Sequence, residues 1–326
     1  VSSTIRPPAS AAGVEPTFNP VRDCWVCGGT DFRRLHEAPL DFTNFAEQDP
    51  ELHGYSGRTV WFQRCEACGF AQPEALPALL HFFERIYDLR WAEEWMAEEF
   101  GSPYKDLIFA TVLRGLERRL APGHRRLLDV GAHVGRLIHM AGQSGWVSEG
   151  VELNPRTAAF AARRSGRPVH QINARQLADE HRLYSAVTLI DVLEHIPEPL
   201  VVLRSLGRLI EPGGWLVVKV PCGPSQLLKE RLVSVLRRRR HPNVATNLVH
   251  VSHFDAPSLC RALEASGFTN IDLTVGAPEL PPRRSRLRVW GTRLTRLGCY
   301  HLARAIPGGV STPFAFNLQA FARKPT

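Results

Sequence analysis

Four cysteines stand in two matched turns, Cys24-x-x-Cys27-Gly28 and Cys65-x-x-Cys68-Gly69, with 37 residues between them. Such a turn presents two thiolates from one tight loop, and the glycine after each pair relieves the backbone. Two turns supply four sulfurs, a complete tetrahedral shell. The spacing therefore predicts a closed structural zinc site at Cys24, Cys27, Cys65 and Cys68, with a redox dithiol as the competing use. Because sulfur fills every position, catalysis at that metal is not expected. The chain has seven cysteines, an odd number, which suits metal binding in a reducing cytoplasm better than a disulfide framework.

A second group of residues suits a nucleotide. LLDVGAHVG, residues 127–135, is a short apolar run followed by Gly131 and Gly135, and a later run, 146–151, ends at Glu152. Glycine lets a ligand approach bare backbone, the following helix offers its amino end, and an acid about twenty residues on takes ribose hydroxyls. Asp129 sets this unit apart from a dinucleotide site. A carboxylate before the glycines serves pyrophosphate badly and a ligand with an ammonium group well, which points to S-adenosylmethionine (SAM).

With these motifs the chain resembles the class I SAM-dependent methyltransferases. DVGAHVG is similar to the first motif of that family, with His133 where a glycine usually stands. GVELNP sets Glu152 in the position of the ribose acid, with Leu153 beside it, and Asn173-Ala174 falls where the family has an acid or amide beside the adenine. DVLEHIPEP, 191–199, is similar to the motif after the fourth strand, and LIEPGGWLVVKVP, 209–221, to the turn into the fifth. The resemblance covers about residues 104–326. It implies an α/β fold with a Rossmann-like seven-stranded methyltransferase sheet, its last strand antiparallel, and a SAM site at Asp129, Gly131, His133, Gly135, Glu152, Leu153, Asn173, Ala174 and Asp191. The cysteine turns resemble the small zinc-binding domain that precedes some bacterial small-molecule methyltransferases, sugar C-methyltransferases among them. By that resemblance Tyr87 closes over the cofactor; by its spacing it equally joins Phe83, Trp91 and Trp95 in a helical core stripe.

The elements that must position these residues follow from the pattern. Residues 1–20 are rich in small residues and proline without an apolar h-region, and read as a disordered tail rather than a signal peptide. A zinc-binding domain is expected over 21–72, a helical linker or lid over 73–102, and the methyltransferase domain over 103–326. From Pro103 onward strands alternate with helices, which implies a parallel sheet with its ligands at the carboxyl ends of the strands. Two helical insertions, 222–253 and 281–312, interrupt that order. They also hold the charge: 222–240 has a net +5 and 281–304 has seven arginines and no acid, so of a formal net charge of +8 the rest of the chain carries −4. Guanidinium groups there would catch an anionic handle on a substrate, and the amphipathic helix at 286–304 would suit peripheral contact with an anionic membrane. Hydrophobic residues make up 44% of the chain with no apolar run near eighteen, so a cytoplasmic protein without a membrane span is expected.

Three histidines fall near the expected methyl group: His253 and His250 in NLVHVSHF, and His195 in LEHIP. A hydroxyl acceptor gains most from a base, and histidine is the usual one. His253, just before the helix that faces the site, is the first choice. The sequence thus predicts methyl transfer from SAM to a small-molecule or glycan-type acceptor, by O-methylation, the acceptor carrying a phosphate, nucleotide, carrier or lipid group. Sugar C- or N-methylation is the nearest alternative. An RNA methyltransferase is disfavoured, because the cysteine module is not itself basic; a non-catalytic SAM-fold scaffold, disabled at His133, is the remaining alternative.

Overall fold

The computed structural model describes residues 16–88, 93–172, 182–237, 247–281 and 287–326. Its centre is a seven-stranded sheet of β6 (Arg126–Val130), β7 (Val147–Val151), β8 (Val169–His170), β9 (Tyr184–Ile190), β10 (Ile210–Pro221), β11 (Thr269–Val275) and β12 (Asn317–Arg323), in the order β11-β12-β10-β9-β6-β7-β8. The pairs from β8 across to β10 are parallel, and β12 runs antiparallel to both β10 and β11. This is the expected sheet, antiparallel strand included. Every residue of β9 is buried, as a central strand covered on both faces requires.

Helices supply those covers. On one face, α4 (Asp106–Glu117), α5 (Arg136–Gln143) and α10 (Leu287–Ala305) bring Ile108, Val112, Leu137 and Tyr300 to a core with Leu127 and Val217. On the other, α7 (Pro199–Leu209) and α9 (Ala256–Ala265) contribute Leu203, Leu206, Leu259 and Leu263 against Leu128, Val187 and Val218. Asn154 caps α6 (Pro155–Ser165) by accepting from the N–H groups of Arg156 and Thr157. α8 (Gly223–Arg237) leaves the end of β10 as the first insertion. No helix among the described residues is long and apolar enough to cross a membrane.

The amino-terminal module pairs β2 (Phe32–Pro39), β3 (Thr59–Cys65) and β4 (Ala71–Pro73) in one antiparallel sheet, and β1 (Phe18–Pro20) with β5 (Ala75–Pro77) in a second. The expected tail thus contains a strand at its end: Phe18 packs edge-on against Tyr55 at 5.4 Å, which holds β1 in place. Residues 1–15 lie outside the described part. Between the sheets and α4 come α1 (Pro50–His53), within the module, and then α2 (Phe82–Asp88) and α3 (Glu93–Gly101). The module is not a separate bead. Cys24, Val26, Cys65, Cys68 and Phe70 share one continuous core with Phe254, Ala256 and Leu259 of the larger domain.

Candidate active site at the strand ends

Near its end β6 carries the buried Asp129, whose Oδ1 accepts from the Thr188 hydroxyl at 2.7 Å. Burial pushes the Asp129 carboxyl up to about 7. The turn that follows needs Gly131: its φ is +76°, and a Cβ there would come within 2.5 Å of Val192. His133 also adopts a left-handed backbone, φ +50°, and its N–H donates to Glu152 Oε2 at 2.9 Å while Asn154 N–H donates to Oε1 at 3.0 Å. A histidine can therefore stand in the usual glycine position because the backbone bond to Glu152 and a ring contact with Trp95, centroids 5.4 Å apart, hold it there. Its ring is kept neutral, the pKa lowered to about 4 by burial. Gly135 begins α5 with φ +81°, and Leu153 is exposed beside Glu152. A cleft joins Asp129, Gly131, Ala132 and His133 to Glu99, Ser102, Lys105 and Arg136.

Asp191, expected at the cofactor's amino-acid end, already carries two ammonium groups. Lys105 Nζ lies 3.0 Å from Oδ2, and the fully buried Lys219 bonds Oδ1. Burial would raise the Asp191 carboxyl, but the two lysines override it and hold it well below the usual range. Glu279 is the second partner of Lys219, at 3.4 Å. Sequence reasoning missed both lysines. Lys219 left one signal, a lone charge inside the apolar run of VVKVP, because such a residue on a central strand must be paired.

The three histidines separate. His195 and His250 meet edge to face with centroids 4.7 Å apart, and His195 Nδ1 bonds the Val249 carbonyl at 2.6 Å, which leaves Nε2 as the basic nitrogen. Burial lowers the His250 pKa well below its ordinary value, so the ring is neutral at pH 7. Glu194 is buried beside them, 3.9 Å from His195, with its Oε2 unbonded among the described residues. Burial pushes its carboxyl up to about 8. His253 instead faces the amino-terminal module, 4.7 Å from the Phe62 ring and 6.3 Å from His36. Asn173 and Ala174, and the side chain of Tyr87, lie outside the described residues.

The four expected cysteines converge. Cys24 and Cys68 sulfurs are 3.5 Å apart, as are those of Cys27 and Cys65, and all four lie within 4.8 Å of one another. Tetrahedral zinc with bonds of about 2.3 Å spaces its sulfurs by roughly 3.8 Å, so the donor set fits that metal.

Residues 104–273, more than half of the chain, match the family described as a methyltransferase domain. A ubiquinone biosynthesis O-methyltransferase of Paracidovorax citrulli is 33% identical over 98 residues, 28% of this chain and 41% of that protein. One from Pseudomonas aeruginosa (strain LESB58) is 32% identical over 131 residues, 38% and 56% of the two chains. The chain spans about half the length of the curated relatives it matches. A chain from the complex between the Haloferax volcanii Trm112 methyltransferase activator and a methyltransferase superposes with a TM-score of 0.50 at 12% identity, over 72% of this chain and 97% of that one, a likeness of fold alone. By the family match over more than half its length, carried on the seven-stranded sheet, this chain belongs to the methyltransferase-domain family.

Proposed function

We propose that the protein is a SAM-dependent methyltransferase that transfers a methyl group to an oxygen of a small-molecule acceptor. The observation that carries this reading is the convergence of Asp129 and the Gly131–His133 turn on one strand-end cleft, with the Glu152 carboxylate bonded to the backbone of His133 at its wall. In it Asp129 faces the cofactor's ammonium group and Glu152 its ribose hydroxyls. The sulfonium is already a strong electrophile, so the protein's task is to hold the acceptor in line and manage its proton. His250, neutral at pH 7 and set against His195, is the base; His253 takes a packing role in the module. Relatives named as O-methyltransferases support oxygen as the acceptor atom. The four-cysteine cluster holds a structural zinc ion. Arginines and Lys229 on the two insertions receive an anionic handle of the acceptor, whether phosphate, nucleotide, carrier or lipid. An acceptor screen with methyl-labelled SAM tests the reading: label on an oxygen, lost in His250→Ala, is expected, and label on carbon or nitrogen would redirect it to C- or N-methylation.

A further inference from the structure

Residues 247–255 run between the two parts of the molecule and bond to each in turn. Asn247 exchanges two hydrogen bonds with the backbone of Asp41 in the amino-terminal module: the Asp41 N–H donates to Asn247 Oδ1 at 2.6 Å, and Asn247 Nδ2–H donates to the Asp41 carbonyl at 2.8 Å. Leu248 and Val251 are buried in that module's own core with Leu40, Phe42 and Phe62. Val249 then turns to the larger domain, its carbonyl bonded to His195. The N–H groups of Val251 and Ser252 both donate to the Glu194 carbonyl, and the Ser252 hydroxyl donates to that of Ile196 at 2.7 Å. His253 returns to the module, exchanging backbone bonds of 2.9 and 3.0 Å with Ala71. Asp255 completes the lacing.

The last contact is built on the second cysteine turn. Arg64 donates through Nε to the Gly69 carbonyl and through Nη2 to Asp255 Oδ2, both at 3.1 Å. Asp255 at the same time caps α9 through Ser258. The approach is so close that a Cβ on Gly69 would lie 2.5 Å from Asp255 Oδ2. The cysteine turn is thus locked onto the helix cap just beyond Ser252, where the chain leaves the LEHIP loop.

We infer that the cysteine module is the clamp that sets His250 against His195, with Arg64 and Asp255 as its positioning residues. The residues on either side of His250 are pinned alternately by the module and by the 194–196 loop, so both set the backbone that carries its ring to His195. The SAM unit, 126–152, makes none of these bonds. Metal bound to the four cysteines therefore governs the acceptor side and leaves the cofactor side alone. This rests on the assignment of His250 to the acceptor site, but its test does not.

The test uses the full chain in three ways. Asp255→Ser keeps a capping side chain on α9 and removes the Arg64 contact. With zinc content still one per chain, backbone amides of 247–254 are expected to exchange at least tenfold faster, while 126–152 stays protected and SAM affinity holds within threefold. In a sample labelled at histidine, the ring resonances of His250 and His195 should shift in Arg64→Met and return toward their wild-type positions in Arg64→Lys. Zinc removal by a chelator should expose 247–254 in the same way. Unchanged exchange and unchanged ring resonances in both variants would overturn the clamp. So would equal loss of protection in 126–152, which would mean general unfolding. Intact coupling with no methyl transfer to any acceptor would leave the clamp standing and remove the proposed function.

Discussion

The cleft proposed to take the cofactor and the histidine pair proposed to face the acceptor are built by opposite strategies. The first is mostly local: Asp129, Gly131, His133 and Glu152 lie within 24 residues, and the backbone bond from His133 to Glu152 shapes the turn within that unit, with Thr188 on the neighbouring strand the distant partner of Asp129. The second is assembled from afar. His195 and His250 come from different loops, and the residues that hold His250 in place reach it from positions 41, 64 and 71. A short unit of strand, turn and helix sets its own geometry, whereas a site built from three distant segments is only as well placed as the fold that carries them. Disturbance of the module should accordingly be felt at the acceptor and not at the cofactor.

The largest break in that comparison would come from the metal. Replacing Cys65 with alanine removes a ligand of the proposed zinc site, a kind of site worth about 10–16 kcal/mol, and so small a module cannot compensate from its core. Zinc content and limited proteolysis should show loss of metal and cleavage in the module; a folded, protected module without metal would refute the structural role. Next, His250→Ala should lower turnover by about 10²–10⁴ with SAM affinity within a few-fold, read from single-turnover kinetics beside calorimetry. Equal loss in both would merge the two sides.

Lys219→Met tests the floor between them. It leaves Asp191 and Glu279 short of a buried partner, and breaking such a pair costs about 3–5 kcal/mol, which urea denaturation would report. A change below about 1 kcal/mol would show that Lys105 alone satisfies Asp191. The smallest effect is on pH. The Asp129 carboxyl sits up at about 7 through burial, and an ammonium ligand binds its ionised form. SAM affinity should thus be full above pH 7 and fall up to about tenfold per unit below it, as one proton must be expelled on binding. Asp129→Asn should bind more weakly with that slope gone; a slope unchanged in the variant would assign the titration elsewhere.

How much could be read from the chain follows the same division. The strand-turn-helix unit from Asp129 to Glu152 was legible because periodicity and short motifs report local structure, while the seven-stranded sheet and its antiparallel last strand came from the family resemblance that those motifs carry. The cysteine cluster was legible because its chemistry demands four sulfurs whatever the path between them. His253 was favoured over His250 on sequence because it stands just before the helix that faces the site; the backbone pairing of Ala71 with His253, which no local pattern announces, sets that ring against the module instead. Lys105, Arg64 and Asp255 had no local signal as site residues: each acts through a partner 86 or 191 positions away. Asp191 was placed at the cofactor by resemblance, and no local signal joined it to its two lysine partners, because they come from the approach to α4 and from β10.

Native mass spectrometry of the full chain, titrated with SAM and then with S-adenosylhomocysteine, tests the account most directly. One zinc and one saturable SAM per chain are predicted, with SAM occupancy reduced in Asp129→Asn and retained in His250→Ala. Zinc without SAM would contradict the account, and would mean that the strand-end cleft, His133 included, no longer takes the cofactor.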